Sequence, residues 1–148
     1  AKTTGQRDLH KADSIVKACL RLIHTLKPEY WVIENPTGLL RGRPFMRPYL
    51  QYLKPCTYCK YSTPTDVFDY RKETDIFTNI PVALQHCRLC PCKHMQTMGR
   101  HPKTAQRGPS GYNTPGCSLD TLHRVPQLLV QTLITAAFSA STRHPKKR

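Results

Sequence analysis

The sequence predicts an α/β chain carrying a small Cys/His-rich insertion. Three observations point there: a stretch of helical period runs straight into a short apolar, β-rich run, a second helical stretch closes the chain, and a segment without periodicity between them collects Cys, His, Gly and Pro. At 148 residues the chain suits one domain, able to bury about two thirds of its unfolded surface.

From Asp8 to Leu26, Leu9, Ala12, Ile15, Val16, Cys19, Leu22, Ile23 and Leu26 follow the i, i+3, i+4 rhythm of an amphipathic helix. Asp8 can cap its first turn, and Lys27-Pro28 supplies a cation and then a breaker at its end. Tyr30-Trp31-Val32-Ile33 then reads as a strand, and a continuous apolar strand after a helix suggests a parallel strand buried on both faces. It stops at Glu34-Asn35-Pro36. Ligands gather outside the carboxyl ends of strands in open α/β sheets, so Glu34 occupies a position that favours function.

Residues 37–48 hold Gly38, Gly42, Pro44 and Pro48 with Arg41, Arg43 and Arg47, a loop composition with phosphate-seeking charge. A short helix is expected over 45–53, and strands over 57–61 and 75–80, pairing as a hairpin around the polar turn Ser62 to Thr65 and the basic Tyr70-Arg71-Lys72. Between Pro81 and Cys117 order requires a metal or a ligand. Val125 to Phe138 returns to helix, with Leu128, Leu129, Leu133, Ile134 and Ala137 on one side and Pro126 in the first turn. The organisation expected is an α/β core over 1–80, a Cys/His-rich basic segment over 81–124, a closing helix over 125–138 and a basic tail over 139–148, whose His-Pro-Lys-Lys-Arg ending suits either a nuclear-localisation signal or a solvated end.

Lys and Arg number 23 against 9 Asp and Glu, a formal charge of +14 whose field favours a polyanion. DNA or another nucleic acid is the expected partner, although the sign of the field selects a partner class and not an activity. No apolar run of roughly 18 residues and no secretory pattern occur, so an intracellular, non-secreted protein with no membrane partner is expected. The first residues read as interior sequence and do not begin with Met, which suggests a cut or processed N-terminus.

The Cys count, 7, is odd, and the groups Cys56-x2-Cys59 and Cys87-x2-Cys90-x-Cys92 argue for metal before disulfides in a reducing compartment. Cys87, Cys90, Cys92 and His94 are the candidate ligands of a structural zinc. Four ligands on so short a loop are sterically tight, so one can instead come from His86, His101, Cys117 or the Cys56/Cys59 pair. A catalytic zinc of the base-deaminase type needs His-x-Glu, which occurs nowhere in the chain. Basic and aromatic residues also interleave, Arg41, Arg43 and Arg47 with Phe45, Tyr49 and Tyr52, then Lys54, Lys60, Arg71 and Lys72 with Tyr58, Tyr61 and Tyr70; cations can contact phosphates while aromatic faces pack on exposed bases.

Taken together, Ala1-Lys2-Thr3-Thr4, Arg7-Asp8-Leu9, Ala12 to Val16, Lys27-Pro28 to Trp31, Glu34-Asn35-Pro36-Thr37-Gly38-Leu39-Leu40, Tyr58-Cys59-Lys60-Tyr61, Tyr70 to Asn79, and His123-Arg124-Val125-Pro126 with Leu128 and Leu129 resemble one family. It is the divergent group of DNA (cytosine-5)-methyltransferase-like proteins of large DNA viruses, phages and mobile elements. The resemblance implies the downstream part of a Rossmann-like methyltransferase fold, making 1–80 a partial core, with a nuclear, viral or mobile-element context. It also implies that Glu34 matches the glutamate of the family's Glu-Asn-Val motif, with Pro36 in place of Val stiffening the turn. Such a glutamate protonates or hydrogen-bonds N3 of a flipped cytosine so that a nucleophile can add at C6. Arg71 or Lys72 resembles the basic position that holds the base or its phosphate; Asn35, Arg41 and Arg43 complete the candidate DNA contacts.

The family's Pro-Cys nucleophile and its S-adenosylmethionine motifs precede the matched stretch and are absent here. Cys56 and Cys92 follow prolines but lie after the glutamate, in the wrong order. The chain is therefore expected to be inactive alone and to complete its site with an upstream half or a larger assembly, S-adenosylmethionine binding only in the longer parent. The alternative is a zinc-stabilised basic protein that binds nucleic acid or joins an assembly without catalysis.

Overall fold

A computed structural model describes residues 8–104 and 118–143. The N-terminal helix α1 spans Leu9–Leu26 and is capped as its sequence dictates: the Asp8 carboxylate accepts the Lys11 N–H at 2.9 Å, and Lys27, left-handed at φ 47°, closes the helix by donating its N–H to the Ile23 carbonyl at 3.0 Å. The chain then enters strand β1, Val32–Pro36. Asn79 locks this entry, accepting from the Trp31 N–H at 3.0 Å and donating to the Glu29 carbonyl at 2.8 Å.

Two short 3-10 turns, Leu40–Gly42 and Pro44–Tyr52, lead to β2, Leu53–Thr57. Another at Tyr58–Tyr61 leads to β3, Tyr70–Arg71, and then to β4, Glu73–Thr78. The main sheet has the order β1-β4-β2 with β4 antiparallel to both neighbours; Glu34 stands opposite Ile76, and Lys54 stands opposite Ile76 from the other side. Pro55 is tolerated because β2 is an edge strand. After β4 come helix α2, Lys93–Met98, and the two-residue β5, Lys103–Thr104, which pairs in parallel with β3. The short α3, Leu119–His123, precedes α4, Gln127–Arg143.

Adjacent strand residues point to opposite faces, so Ile76 and Phe77 divide the core in two. On the Phe77 face, Leu20 of α1 packs with Leu40, Met46 and Phe77, flanked by Trp31, Ile33, Phe45, Tyr49 and Leu53. On the Ile76 face, Leu129 and Leu133 of α4 pack with Tyr58, Tyr61, Phe68, Tyr70 and Ile80. The Asp66 carboxylate fixes the start of α4 by accepting the Gln127 N–H at 2.8 Å and pairing with Arg124. No described helix is long and apolar enough to cross a membrane.

Several expectations are corrected. The strand carrying Glu34 is antiparallel to its one described neighbour, only partly buried, and paired on through Pro36, so Glu34 is its central residue and not its carboxyl end. A short apolar run does not distinguish a doubly covered parallel strand from an edge strand with one half-buried face, and Asn35 and Pro36 at an edge extend the ladder where the sequence predicts a stop. The strand expected over 57–61 lies at Leu53–Thr57 instead, and Tyr58–Tyr61 is a 3-10 turn that buries Tyr58, Cys59 and Tyr61. Its partner β4 is reached through β3, so the two strands form a pair without a tight hairpin. On α1 the buried positions are Asp13 and Leu20, whereas Ile15, Leu22 and Leu26 are exposed. On α4, Leu128 and Ile134 are exposed and Leu129 and Leu133 carry the packing.

Candidate metal centre and edge-strand carboxylate

Four side chains from separate stretches converge beside β3. Cys59 sits on the 3-10 turn after β2, Cys87 in the loop after β4, Cys92 at the start of α2, and His101 just beyond it. Their ligating atoms all lie within 4.8 Å of one another, with Cys92 Sγ 3.3 Å and Cys87 Sγ 3.9 Å from His101 Nε2. The three thiols are at most 5% exposed. Tetrahedral zinc, with Zn–S about 2.3 Å and Zn–N about 2.0 Å, places its ligand atoms roughly 3.5–3.8 Å apart, so this set can hold a metal ion after small movements.

The local fold explains the convergence. Gly99, left-handed at φ 66°, stops α2 after six residues and turns the chain back, and the β3–β5 pairing then ties the return in place. The Cys87 N–H donates to Thr57 Oγ1 at 2.8 Å, and the Cys92 N–H to Cys87 Sγ at 3.5 Å. Burial, then the nearby Arg71, lowers the pKa of His101 and favours the neutral imidazole that ligates metals. Burial opposes ionisation of Cys92, but hydrogen bonds from the Met95 amide, Cys87 and Cys59 outweigh it and lower the thiol's pKa. Cys59 is pushed well up, first by burial, so a metal must displace its proton.

Of the expected ligands Cys87, Cys90, Cys92 and His94, the structure brings Cys87 and Cys92 together and replaces the other two with Cys59 and His101. Cys90 is exposed, its Sγ 3.4 Å from Lys60 Nζ, and the His94 ring lies 6.4 Å from that of His101. The reason is steric: Cys92 begins a helix, which carries His94 away from the sulfurs. Both replacements were among the alternatives legible in sequence, and the glycine that returns His101 was the signal that could have selected it. His86 is outside the cluster, while Cys117 lies outside the described residues. The described cysteines form no disulfide.

The second cluster surrounds Glu34. Its carboxylate, on the Ile76 face of the exposed edge strand β1, accepts the Tyr58 Oη hydrogen at 2.8 Å. Tyr58 is fully buried; burial and then the Glu34 carboxylate push its pKa well above the usual phenol value, which keeps it a donor. Lys72 Nζ lies 4.5 Å from the centroid of the same ring and donates to the Leu122 carbonyl at 2.7 Å. Burial lowers the Lys72 pKa, and Glu34 partly opposes that shift. Sequence reasoning marked Glu34 and Lys72 but missed Tyr58 as the group that orients the carboxylate.

The other candidate contacts have different settings. Asn35 takes the opposite face from Glu34 and donates to the Pro36 carbonyl at 2.6 Å. Arg41 joins Thr37 in satisfying the buried carboxylate of Asp75, with Arg41 Nε 2.8 Å from Asp75 Oδ2. Arg43 Nε lies 3.0 Å from both oxygens of Asp13. Both arginines thus have intramolecular carboxylate partners and hold the loop against the core. Arg71 is exposed, 3.6 Å from Glu73. Cys56 is fully buried and its pKa is pushed up to about 12 by burial and then by Glu34, the reverse of what a nucleophile requires; Cys92 belongs to the Cys/His cluster. No protein-family model, curated protein or solved structure matches the chain.

Proposed function

We propose that the chain is the downstream part of a DNA (cytosine-5)-methyltransferase-like protein, in which Glu34 acts as the acid toward a flipped cytosine and a zinc-ordered basic segment holds the DNA. The observation that carries the proposal is the Glu34 carboxylate, presented at an exposed strand and oriented by Tyr58, with the Lys72 ammonium over the same ring. A rigidly held acid beside a cation suits hydrogen bonding to N3 and a contact with the base or its phosphate. The sheet supports the same reading. Doubly wound sheets commonly carry antiparallel strands at one edge, and β1 pairs only with β4 among the described strands, leaving its other edge for the parallel strands of a Rossmann-like core.

Zinc fits three thiols and an imidazole by ligand type, and its role here is structural, because all four positions are supplied by protein. Methyl transfer itself needs S-adenosylmethionine and a Pro-Cys nucleophile, and these residues do not fit either role; the parent protein supplies both upstream. In that parent, Glu34→Gln should lower turnover about 100-fold or more while leaving DNA affinity within about twofold. Equal losses in both would remove the acid role.

A second reading, a zinc-stabilised nucleic-acid-binding protein without chemistry, is favoured by the Cys/His cluster combined with the charge of +14. Sequencing the transcript upstream of the Ala1 codon separates the two, since a start without methyltransferase motifs leaves only binding.

A further inference from the structure

The face of the sheet opposite Glu34 carries a cleft of about 620 Å³ between α1 and the 3-10 turn Pro44–Tyr52. Lys17, Arg21 and His24 form one of its walls, spaced i, i+4 and i+7 along α1. Phe45 and Tyr49, also four residues apart, form the other, and Leu20 lines the cleft where the helix packs toward Phe77. Leu20 and Phe77 share one cluster, whereas Glu34 shares the face of Ile76; the sheet therefore stands between this cleft and the carboxylate.

Its chemistry is one-sided. No acidic residue lines the cleft, and Lys17, Arg21 and His24 enter none of the ion pairs among the described residues, unlike Arg41 and Arg43 nearby. Lys17 Nζ stands 5.0 Å from the Phe45 ring centroid, so cation and aromatic surface are already adjacent. The volume falls within the roughly 300–1,000 Å³ range of small-molecule sites. Cations outside the described ion pairs, facing partly exposed aromatic rings, are the two components by which proteins hold single strands, phosphates on one side and bases on the other.

We propose that this cleft binds a nucleotide unit of a single-stranded nucleic acid, with phosphate on Lys17 and Arg21 and the base against Tyr49 and Phe45. A duplex is disfavoured because its bases are already stacked within the helix. The proposal does not depend on Glu34 being catalytic. The two sites lie on opposite faces.

Fluorescence anisotropy with a labelled oligothymidylate of about ten nucleotides tests it. The Lys17→Ala/Arg21→Ala variant should bind about tenfold or more weakly, and its salt slope should fall by roughly 0.7 for each lost phosphate contact. The charge-matched Lys11→Ala/Arg143→Ala variant should lose threefold at most. Tyr49→Phe should retain binding, and Tyr49→Leu should weaken it roughly 5- to 150-fold, the range for removing one base stack. Glu34→Gln should leave oligothymidylate binding unchanged. Equal losses in the two double variants would overturn the proposal, as would inorganic triphosphate competing as effectively as the oligonucleotide. Lys17 and Arg21 are exposed, so their replacement tests the cleft even where Tyr49→Leu lowers stability.

Discussion

The three-stranded sheet and the Cys/His segment that follows it are held together by different physics. The sheet carries an apolar cluster on each face and antiparallel pairing along β4, whose residues from Thr74 to Thr78 are all buried. The segment from Cys87 to Thr104 contributes Cys87, Cys92 and Met95 to a small cluster completed by Cys59 from the earlier turn, and adds one six-residue helix and a two-residue strand. Helices shorter than about 12 residues are marginal in water, and three thiols supply little hydrophobic driving force. Beyond the β3–β5 pairing and a few hydrogen bonds, the Cys/His cluster that could hold a metal ion is the feature positioned to order the second region, while apolar burial suffices for the first. If the cluster takes a metal, the chain divides its stability between a core read from periodicity and a core read from ligands.

The largest effect expected from this contrast is metal removal. Structural zinc binding contributes on the order of 10–16 kcal/mol in small zinc-dependent folds, so a chelator should open the Cys87–Lys103 segment. Hydrogen exchange should rise there and stay unchanged in β4; protection that persists in both regions would break the contrast. Phe77→Ala works in the other direction. It removes the ring that joins β4 to α1 and should cost about 3–5 kcal/mol by denaturant unfolding. The folded fraction should still bind one metal, and loss of metal before unfolding would couple the two regions more tightly than proposed. The smallest effect is expected at Cys90. Its sulfur is exposed and outside the cluster, so Cys90→Ser should leave metal content unchanged and stability within about 0.5 kcal/mol, whereas Cys87→Ser should abolish stoichiometric binding.

Legibility in the sequence follows the same division. Helix α1 is readable with both caps, because Asp8 and Lys27-Pro28 act on their immediate neighbours. Its packing face is not readable. The apolar stripe through Ile15, Leu22 and Leu26 is as periodic as the Val16 and Leu20 contacts, and only Met46 and Phe77 select between them. The 3-10 turn at Tyr58–Tyr61 has a β-rich composition, yet it buries Tyr58 beneath Glu34 and turns Cys59 toward the Cys/His cluster. Arg41 and Arg43 read as phosphate-seeking because Asp75 and Asp13 are 34 and 30 residues away in the chain.

The sequence alone determined the charge, the helical stretches, a strand leading into Glu34 and a Cys/His-rich segment suited to metal. These features depend on composition or on residues within a few positions of one another. Tertiary structure decided that β1 is an antiparallel edge strand, that Tyr58 orients Glu34, and that Cys59 and His101 join Cys87 and Cys92. Each depends on pairing between distant residues, where strand register and the volume of buried side chains select one arrangement among several that the local pattern permits.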